Sequence, residues 1–260
     1  MRSGHTITAI MLTALLSGCS TEYSAVTKQE ELILIHSERE AKIGRSLSRQ
    51  VEKRFKVTKD ERLRERVYAI GQKLASVCDR KDVAWHFEVL SEDEFNAFAL
   101  PGGYIYLFEG LLNKVESDDE IAAVVGHEMG HVAAKHAIKR IQSSIGYSAL
   151  AVLVATGTRD SQAVAVANYG LGQLMLAYSR SDEMLADKLA IKYMRKACYD
   201  PKVIIKFLEK MRDIKQKAPI RPYTSARTHP YIADRIRAVR QEIEGKLTFD
   251  DYMNKGEELP

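Results

Sequence analysis

The chain has 260 residues, 45% of them hydrophobic and 28% charged, with 15 Gly, 6 Pro and 3 Cys, values that exclude collagen-like, low-complexity and wholly disordered chains. At this length one large domain with a sizeable core is expected. Lys plus Arg number 39 against 35 Asp plus Glu, a net +4, and the basic residues are scattered, so no nucleic-acid partner is expected.

Met1 and Arg2 form a short basic lead, Ile7 to Leu16 an apolar run, and Leu16-Ser17-Gly18-Cys19 follows at once. The run is too short to span a bilayer. With the residues after it, it resembles a bacterial lipoprotein signal, which implies removal of 1–18 and acylation of Cys19. Ser20, not Asp, follows that cysteine, and the same resemblance then implies anchoring in outer-membrane lipid. Each buried acyl CH₂ contributes about 0.8 kcal/mol, so several chains hold firmly. Cys78 and Cys198 remain, in a compartment that permits disulfides, leaving open a bridge between them or two free thiols.

Residues 19–30 are polar and aperiodic, which suits a tether, and 31–260 are expected as a single domain. Leu32, Ile35, Ile43, Leu47 and Val51 predict an amphipathic helix from Glu31 to Phe55, and Leu63, Val67, Ile70 and Leu74 a second from Asp60 to about Val77. Trp85 to Leu90 alternates as a strand. Asn96 to Leu107 reads as a hairpin about Pro101-Gly102-Gly103. Ser117-Asp-Asp-Glu120 has the form of a capping box and predicts a helix running to about Arg140. Ile145 to Thr156 is apolar but too short to span a bilayer, and is expected as a buried or substrate-covering helix. Further helices are predicted from about Gln162 to Ala197, relaxed near Gly170 and Gly172, from Tyr199-Asp200-Pro201 to about Lys215, and from Ile232 to Glu244. No internal repeat is legible.

The predicted helix after Ser117 carries His127-Glu-Met-Gly-His131. On a helix, positions i and i+4 lie about 40° apart, so both imidazoles reach one Zn²⁺. Glu128 lies one step round, beside the ion without binding it, where a general base takes a proton from an activated water. A catalytic zinc takes three protein ligands and leaves a position open. The third does not follow directly, because Ala134 and Ala137 stand where one extended version of the motif has Gly and His. On a continuous helix His136 is about 140° round from His131; it is expected as an exposed or structural residue that cannot share the metal. Glu183 is the best candidate, in Tyr178-Ser-Arg-Ser-Asp-Glu-Met-Leu-Ala-Asp187. Asp187 shares its face, so one carboxylate can ligate while the other accepts an N–H from a ligand histidine; an ordinary solvated acidic face is the competing reading. Asp182 is on another face and is expected to be uninvolved.

The set HEMGH, SRSDEMLAD and THPYIADRI, preceded by NAFALPGG, resembles the HtpX-like gluzincin peptidases over roughly residues 30 to 245. With the lipoprotein signal, it is similar to their periplasmic lipoprotein branch of the BepA, LoiP and YcaL type, in the short form without repeats. The resemblance implies a mostly helical α+β zincin-type fold, with a small mixed sheet and an edge-strand hairpin beside the active-site helix. It implies one Zn²⁺ per chain held by His127, His131 and Glu183, Glu128 as general base and Asp187 behind a histidine ligand. His229 becomes an oxyanion donor or a reversible extra zinc ligand, and Arg235 the partner of a carboxylate. Asn96, Ala97, Phe98 and Ala99 become the edge strand on which an extended peptide adds.

The resulting expectation is a lipid-anchored zinc endopeptidase on the periplasmic face of the outer membrane. Its substrates would be unfolded or misassembled envelope proteins, with outer-membrane assembly machinery as a further partner. Two rivals remain at this point: an assembly factor or scaffold in which cleavage is secondary, and a membrane-embedded peptidase using 145–156 as a span.

Overall fold

A computed structural model describes residues 21–145, 177–217 and 229–245. The chain order is β1 (Thr21–Tyr23), β2 (Glu30–Leu32), α1 (Ser37–Arg54), α2 (Glu61–Ala75), β3 (His86–Leu90), β4 (Ala97–Leu100) and β5 (Tyr104–Phe108). It continues with α3 (Glu109–Leu112), α4 (Asp118–Ala133), α5 (His136–Ile145), α6 (Arg180–Lys196), α7 (Val203–Lys217) and α8 (Ile232–Glu244).

The architecture follows from alternation along two strands. On β4 and β5 successive side chains point to opposite faces. Ala97, Ala99, Ile105 and Leu107 join one apolar cluster with Val67, Ile70 and Leu74 of α2 and Ile121 and Val125 of α4. Phe98, Leu100, Tyr106 and Phe108 join the other with Ile43, Leu47 and Val51 of α1 and Ile138 and Ile141 of α5. A three-stranded sheet, ordered β3-β5-β4, is thus covered by helices on both faces. β3 runs parallel to β5 and β4 antiparallel to it, with Ala97 opposite Leu107 and Leu100 opposite Tyr104. The mostly helical α+β class with a small mixed sheet is the one expected from sequence.

The turn between β4 and β5 is Pro101–Gly103, with φ of 75° at Gly102 and 91° at Gly103, where glycine carries no steric penalty. α1 presses on it: a Cβ on Gly44 would overlap the Pro101 carbonyl. Glu40 of α1 accepts from Gly102 N at 3.2 Å and from Arg80 Nη2 at 2.9 Å. The β4–β5 turn is therefore fixed against α1.

Three expectations need correction. The predicted tether forms, at 21–23 and 30–32, an antiparallel ladder, and the first long helix begins only at Ser37. This hairpin and the residues after it are bound to α5 and the turn before it: Gln142 Nε2 donates to Leu32 O at 3.3 Å, its Oε1 accepts from Leu34 N at 2.9 Å and Ile35 N at 3.1 Å, and Lys135 Nζ meets Glu22 at 2.6 Å. Polar composition hid a segment held by backbone pairing and ion pairs. The helix expected to reach Arg140 stops at Ala133 and restarts at His136, across a left-handed Lys135 (φ 55°). Ser117 caps α4 by accepting from Glu120 N, but Glu120 accepts from Glu116 N in place of its N-cap, so the box is not reciprocal. Cys78, buried, and Cys198, exposed, are both free thiols; of the two alternatives left open, they adopt the unbridged one.

The signal at 1–18, Cys19, the apolar stretch 145–156 beyond Ile145 and the helix expected over 162–176 lie outside the described residues. Among those described, no helix is long and apolar enough to cross a membrane.

Candidate metal centre

α4 and α6 cross at the centre of the molecule, and the crossing is made by small residues. Gly126 and Gly130 of α4 face Ala190 and Ala186 of α6, so nothing larger than a methyl group separates the two backbones there. α6 starts where it does because Ser179 accepts from Asp182 N and Asp182 accepts from Ser179 N, a capping box. The close crossing sets His127 and His131 of α4 against Glu183 and Asp187 of α6. α8 closes the fourth side. Its N-cap is Tyr231, a left-handed residue with φ of 61°, and this turn carries His229 inward just before the helix supplies Arg235.

Four buried residues converge: His127, His131, Glu183 and His229 each offer one ligand atom, all within 4.8 Å of one another. His131 Nε2 lies 3.0 Å from His127 Nε2, and His229 Nδ1 lies 3.3 Å from His127 Nε2 and 3.0 Å from Glu183 Oε1. Glu183 Oε2 is 3.5 Å from His127 Nε2, and Oε1 is 3.6 Å from His131 Nε2. Four ligands on a tetrahedral ion at about 2.0–2.1 Å stand about 3.3 Å apart. The observed spacings straddle that value. Three imidazole nitrogens and one carboxylate are a donor set suited to zinc. Glu183 Oε2 is buried without a hydrogen-bond partner among the described residues, although Arg235 Nη1 forms an ion pair with it at 2.7 Å. The residues therefore fit one divalent ion.

A shell of charge surrounds the set. Asp187 Oδ1 is 2.8 Å from His127 Nδ1, so it accepts that N–H and leaves Nε2 facing the centre. Arg235 donates to both Asp187 oxygens at 2.7 Å, a bidentate fork. In the protein by itself, burial and the Arg235 guanidinium act against charge on His127, and the hydrogen bond and charge of Asp187 outweigh them, pushing the imidazole up to about 9. Burial and the neighbouring His127 hold His131 well below the usual histidine range. Burial favours protonated Glu183, but His229 and Arg235 outweigh it and hold the carboxyl well below its ordinary range. Burial likewise opposes Asp187 ionisation and Arg235 overrides it, so that pKa is also lowered.

Glu128 is buried, and its Oε1 stands 3.5 Å from His229 Nε2. A pocket of about 390 Å³ of empty volume opens beside His127 and Glu128. Its walls are chiefly apolar, with Ile204, Phe207 and Met211 of α7 opposite Val124 of α4 and Ala97 of β4. β4 has a paired strand on one side only among the described residues. Asn96, Ala97, Phe98 and Ala99 are all buried, so their row lies under cover beside the centre.

Two residues set aside on sequence grounds are in the assembly. His136 is buried, with Nδ1 2.8 Å from His131 Nδ1, and burial outweighs the Asp182 carboxylate to push its pKa down to about 4. Asp182 Oδ1 is 3.4 Å from His136 Nε2. Tyr178 stacks on His131 with ring centroids 3.9 Å apart. The expectation that His136 lies far round from His131 assumed one continuous helix; the break at Lys135 turns it back. No glycine or proline marks that break, so nothing in the local sequence announced it.

A family model, Peptidase family M48, matches residues 61–243, more than half of the chain. The mitochondrial metalloendopeptidase OMA1 of Schizosaccharomyces pombe is 31% identical over 177 residues, 67% of this chain and 51% of that protein. The OMA1 of Arabidopsis thaliana is 32% identical over 167 residues, 64% of this chain and 33% of the relative. The beta-barrel assembly-enhancing protease of Escherichia coli is 25% identical over 210 residues, 77% of this chain and 43% of that protein. The chain thus spans about half or less of the length of these curated relatives.

Proposed function

The chain belongs to peptidase family M48, and from that premise we propose that it is a zinc-dependent endopeptidase of the bacterial cell envelope that cleaves unfolded or misassembled envelope proteins. The observation that carries this is the buried four-donor group His127, His131, Glu183 and His229 with Glu128 beside it. His127, His131 and Glu183 would hold the ion permanently and His229 would complete its set in the resting arrangement. When bound, zinc supplies a Lewis acid that polarises a peptide carbonyl and eases deprotonation of water.

The protein's own residues do the rest. Glu128 takes the proton from the attacking water and returns it to the leaving amine, work that general bases perform for about 10²–10⁴-fold in rate. Asp187 keeps His127 in the tautomer whose Nε2 faces the centre, and Arg235 fixes Asp187 and Glu183 together. His229 sits between the carboxylates of Glu128 and Glu183. By moving away it would free a position for substrate and present an N–H to the developing oxyanion. The peptide would lie along β4, displacing what covers that buried row; Ala97 shares the pocket with His127 and Glu128, and an apolar side chain beside the scissile bond would enter the pocket walled by Phe207 and Met211. An extended chain is what such a site accepts, in agreement with unfolded substrates.

The envelope location rests on the Leu16-Ser17-Gly18-Cys19 motif, which supports acylation at Cys19 and attachment to outer-membrane lipid, and on the Escherichia coli relative named for beta-barrel assembly. That relative's name is also what supports contact with outer-membrane assembly machinery. The test is metal content together with cleavage of an unfolded protein by the purified chain. One zinc per chain, loss of cleavage with a chelator, and loss of cleavage with zinc retained in Glu128→Gln are expected. A Glu128→Gln protein that cleaves at the native rate, or a chain that takes up no zinc, overturns the reading.

A further inference from the structure

His127 has a carboxylate behind it. What stands behind His131 is another histidine. Lys135 adopts φ 55° between α4 and α5, and this turn brings His136, the first residue of α5, against the far side of the His131 ring. The two Nδ1 atoms are 2.8 Å apart, the rings meet edge to face at 71°, and both residues are buried.

Two ring nitrogens at that distance share one proton, so one donates and the other accepts. Which does so is decided by the opposite end of His131. Its Nε2 is the atom that faces His127 Nε2 at 3.0 Å and Glu183 Oε1 at 3.6 Å. For Nε2 to offer a lone pair there, the ring proton must be on Nδ1. His136 Nδ1 is then the acceptor, and its own proton is on Nε2, the nitrogen 3.4 Å from Asp182 Oδ1. Asp182 is held in turn, because its Oδ2 accepts from Ser179 N at 3.2 Å in the α6 cap. One proton arrangement satisfies the whole line.

We propose that His136, backed by Asp182, is a positioning residue for the metal centre: it accepts the His131 Nδ1–H, fixing the tautomer and ring direction of that ligand as Asp187 does for His127. The inference rests on the reading of the site as a zinc centre. The two ligand histidines are then braced by different devices, a carboxylate clamped by Arg235 and a neutral imidazole tied to a helix cap. A histidine that merely fills space beside Tyr178 predicts that any side chain of similar volume would serve.

The experiment compares zinc affinity, by competition with a chromophoric chelator, among the full chain, His136→Leu and His136→Asn. Asn keeps an acceptor near the Nδ1 position, and Leu removes it at similar volume. Zinc binding about 10–100-fold weaker in His136→Leu is expected, the usual range for an outer partner of a metal ligand, with His136→Asn within about threefold of the native chain on the same scale. Equal affinity in native and Leu proteins, or an Asn variant as weak as the Leu variant, overturns the proposal. If His136→Leu fails to fold, imidazole ¹⁵N NMR of the zinc-loaded native chain decides: His131 protonated on Nδ1 and His136 on Nε2 supports the proposal, and His136 protonated on Nδ1 overturns it. A native chain that binds no zinc overturns the zinc reading and this inference together, whereas native binding with an unaffected Leu variant overturns this inference alone.

Discussion

Gly130 of α4 lies so close to Ala186 of α6 that a Cβ on Gly130 would stand 2.9 Å from the Ala186 carbonyl oxygen and 3.0 Å from its Cα. One helical turn earlier, a Cβ on Gly126 would meet Ala190 at 3.4 Å, an ordinary van der Waals distance. The gap between the helices narrows toward His131, which is where His131 must come within reach of Glu183.

Gly130→Ala is therefore expected to destabilise the protein by about 1–3 kcal/mol, as overpacking does, and to weaken zinc binding by pushing α6 away. Gly126→Ala is expected to be neutral, or to gain up to about 1 kcal/mol from helix propensity. Urea denaturation of both variants checks the contrast. Equal effects would mean that the crossing is not tightest at Gly130.

Arg235 is buried against two carboxylates, bidentate to Asp187 and 2.7 Å from Glu183. Removing it leaves two buried carboxylates with only the imidazoles of His127 and His229 to offset their charge. Arg235→Met is expected to cost about 3–5 kcal/mol in chelator-treated protein. Arg235→Lys should recover only part of that, since an ammonium cannot reproduce the fork. Denaturation curves of the two variants decide, and a Lys variant of native stability would show that the fork geometry is unimportant.

His229→Ala and Glu183→Ala are expected to part company in metal content. Without His229 three protein donors remain, the number a catalytic zinc site uses, and about one zinc per chain should be retained. Glu183→Ala also leaves three donors, but it removes the carboxylate that stands between the Arg235 guanidinium and the ion, so zinc should fall well below the level in His229→Ala. Elemental analysis after dialysis reads both; full zinc in Glu183→Ala would remove that residue from the ligand set.

Asp82 accepts from Arg80 Nε at 2.8 Å and from Ser37 Oγ at 2.6 Å. Burial acts to raise its pKa, but these hydrogen bonds outweigh it and hold the carboxyl well below its ordinary value. A carboxylate with a lowered folded pKa contributes stability that is fully present above the unfolded value of about 3.9 and is lost as pH falls toward the folded value. Asp82→Asn should thus be less stable than the native chain at pH 7, and the difference should shrink below about pH 4. Thermal melts at several pH values measure it; a difference constant down to pH 3 would mean that Asp82 does not titrate in that window.

How much of this was legible in the sequence depended on distance along the chain. His127, Glu128 and His131 are read from helical spacing alone, because four residues of one helix are geometrically rigid. The strands and their turn are read from alternation and from Pro101-Gly102-Gly103, whose left-handed angles the structure contains. Glu183 and Asp187 are candidates from their shared helix face, with a solvated acidic face as the competing reading, and the family resemblance chose between the two; His229 and Arg235 came from the resemblance alone, since spacing does not say which distant residues will face a given helix. The hairpin at 21–32 escaped because its pairing is written in backbone groups and in Lys135 and Lys139, more than a hundred residues later.

The sequence by itself determined the heart of the chemistry: two histidines of one helix that can share a metal, and the glutamate beside them that can move a proton. The tertiary structure alone decided what stands behind His131. A left-handed Lys135, with neither glycine nor proline to announce it, turned His136 from the outside of an imagined long helix to the back of the His131 ring. A glycine with no room for a Cβ set the distance between α4 and α6. Both are decisions of packing, in which local preference is overridden by the need to bury Ile138 and Ile141 on one face of the sheet and the α4–α6 crossing on the other.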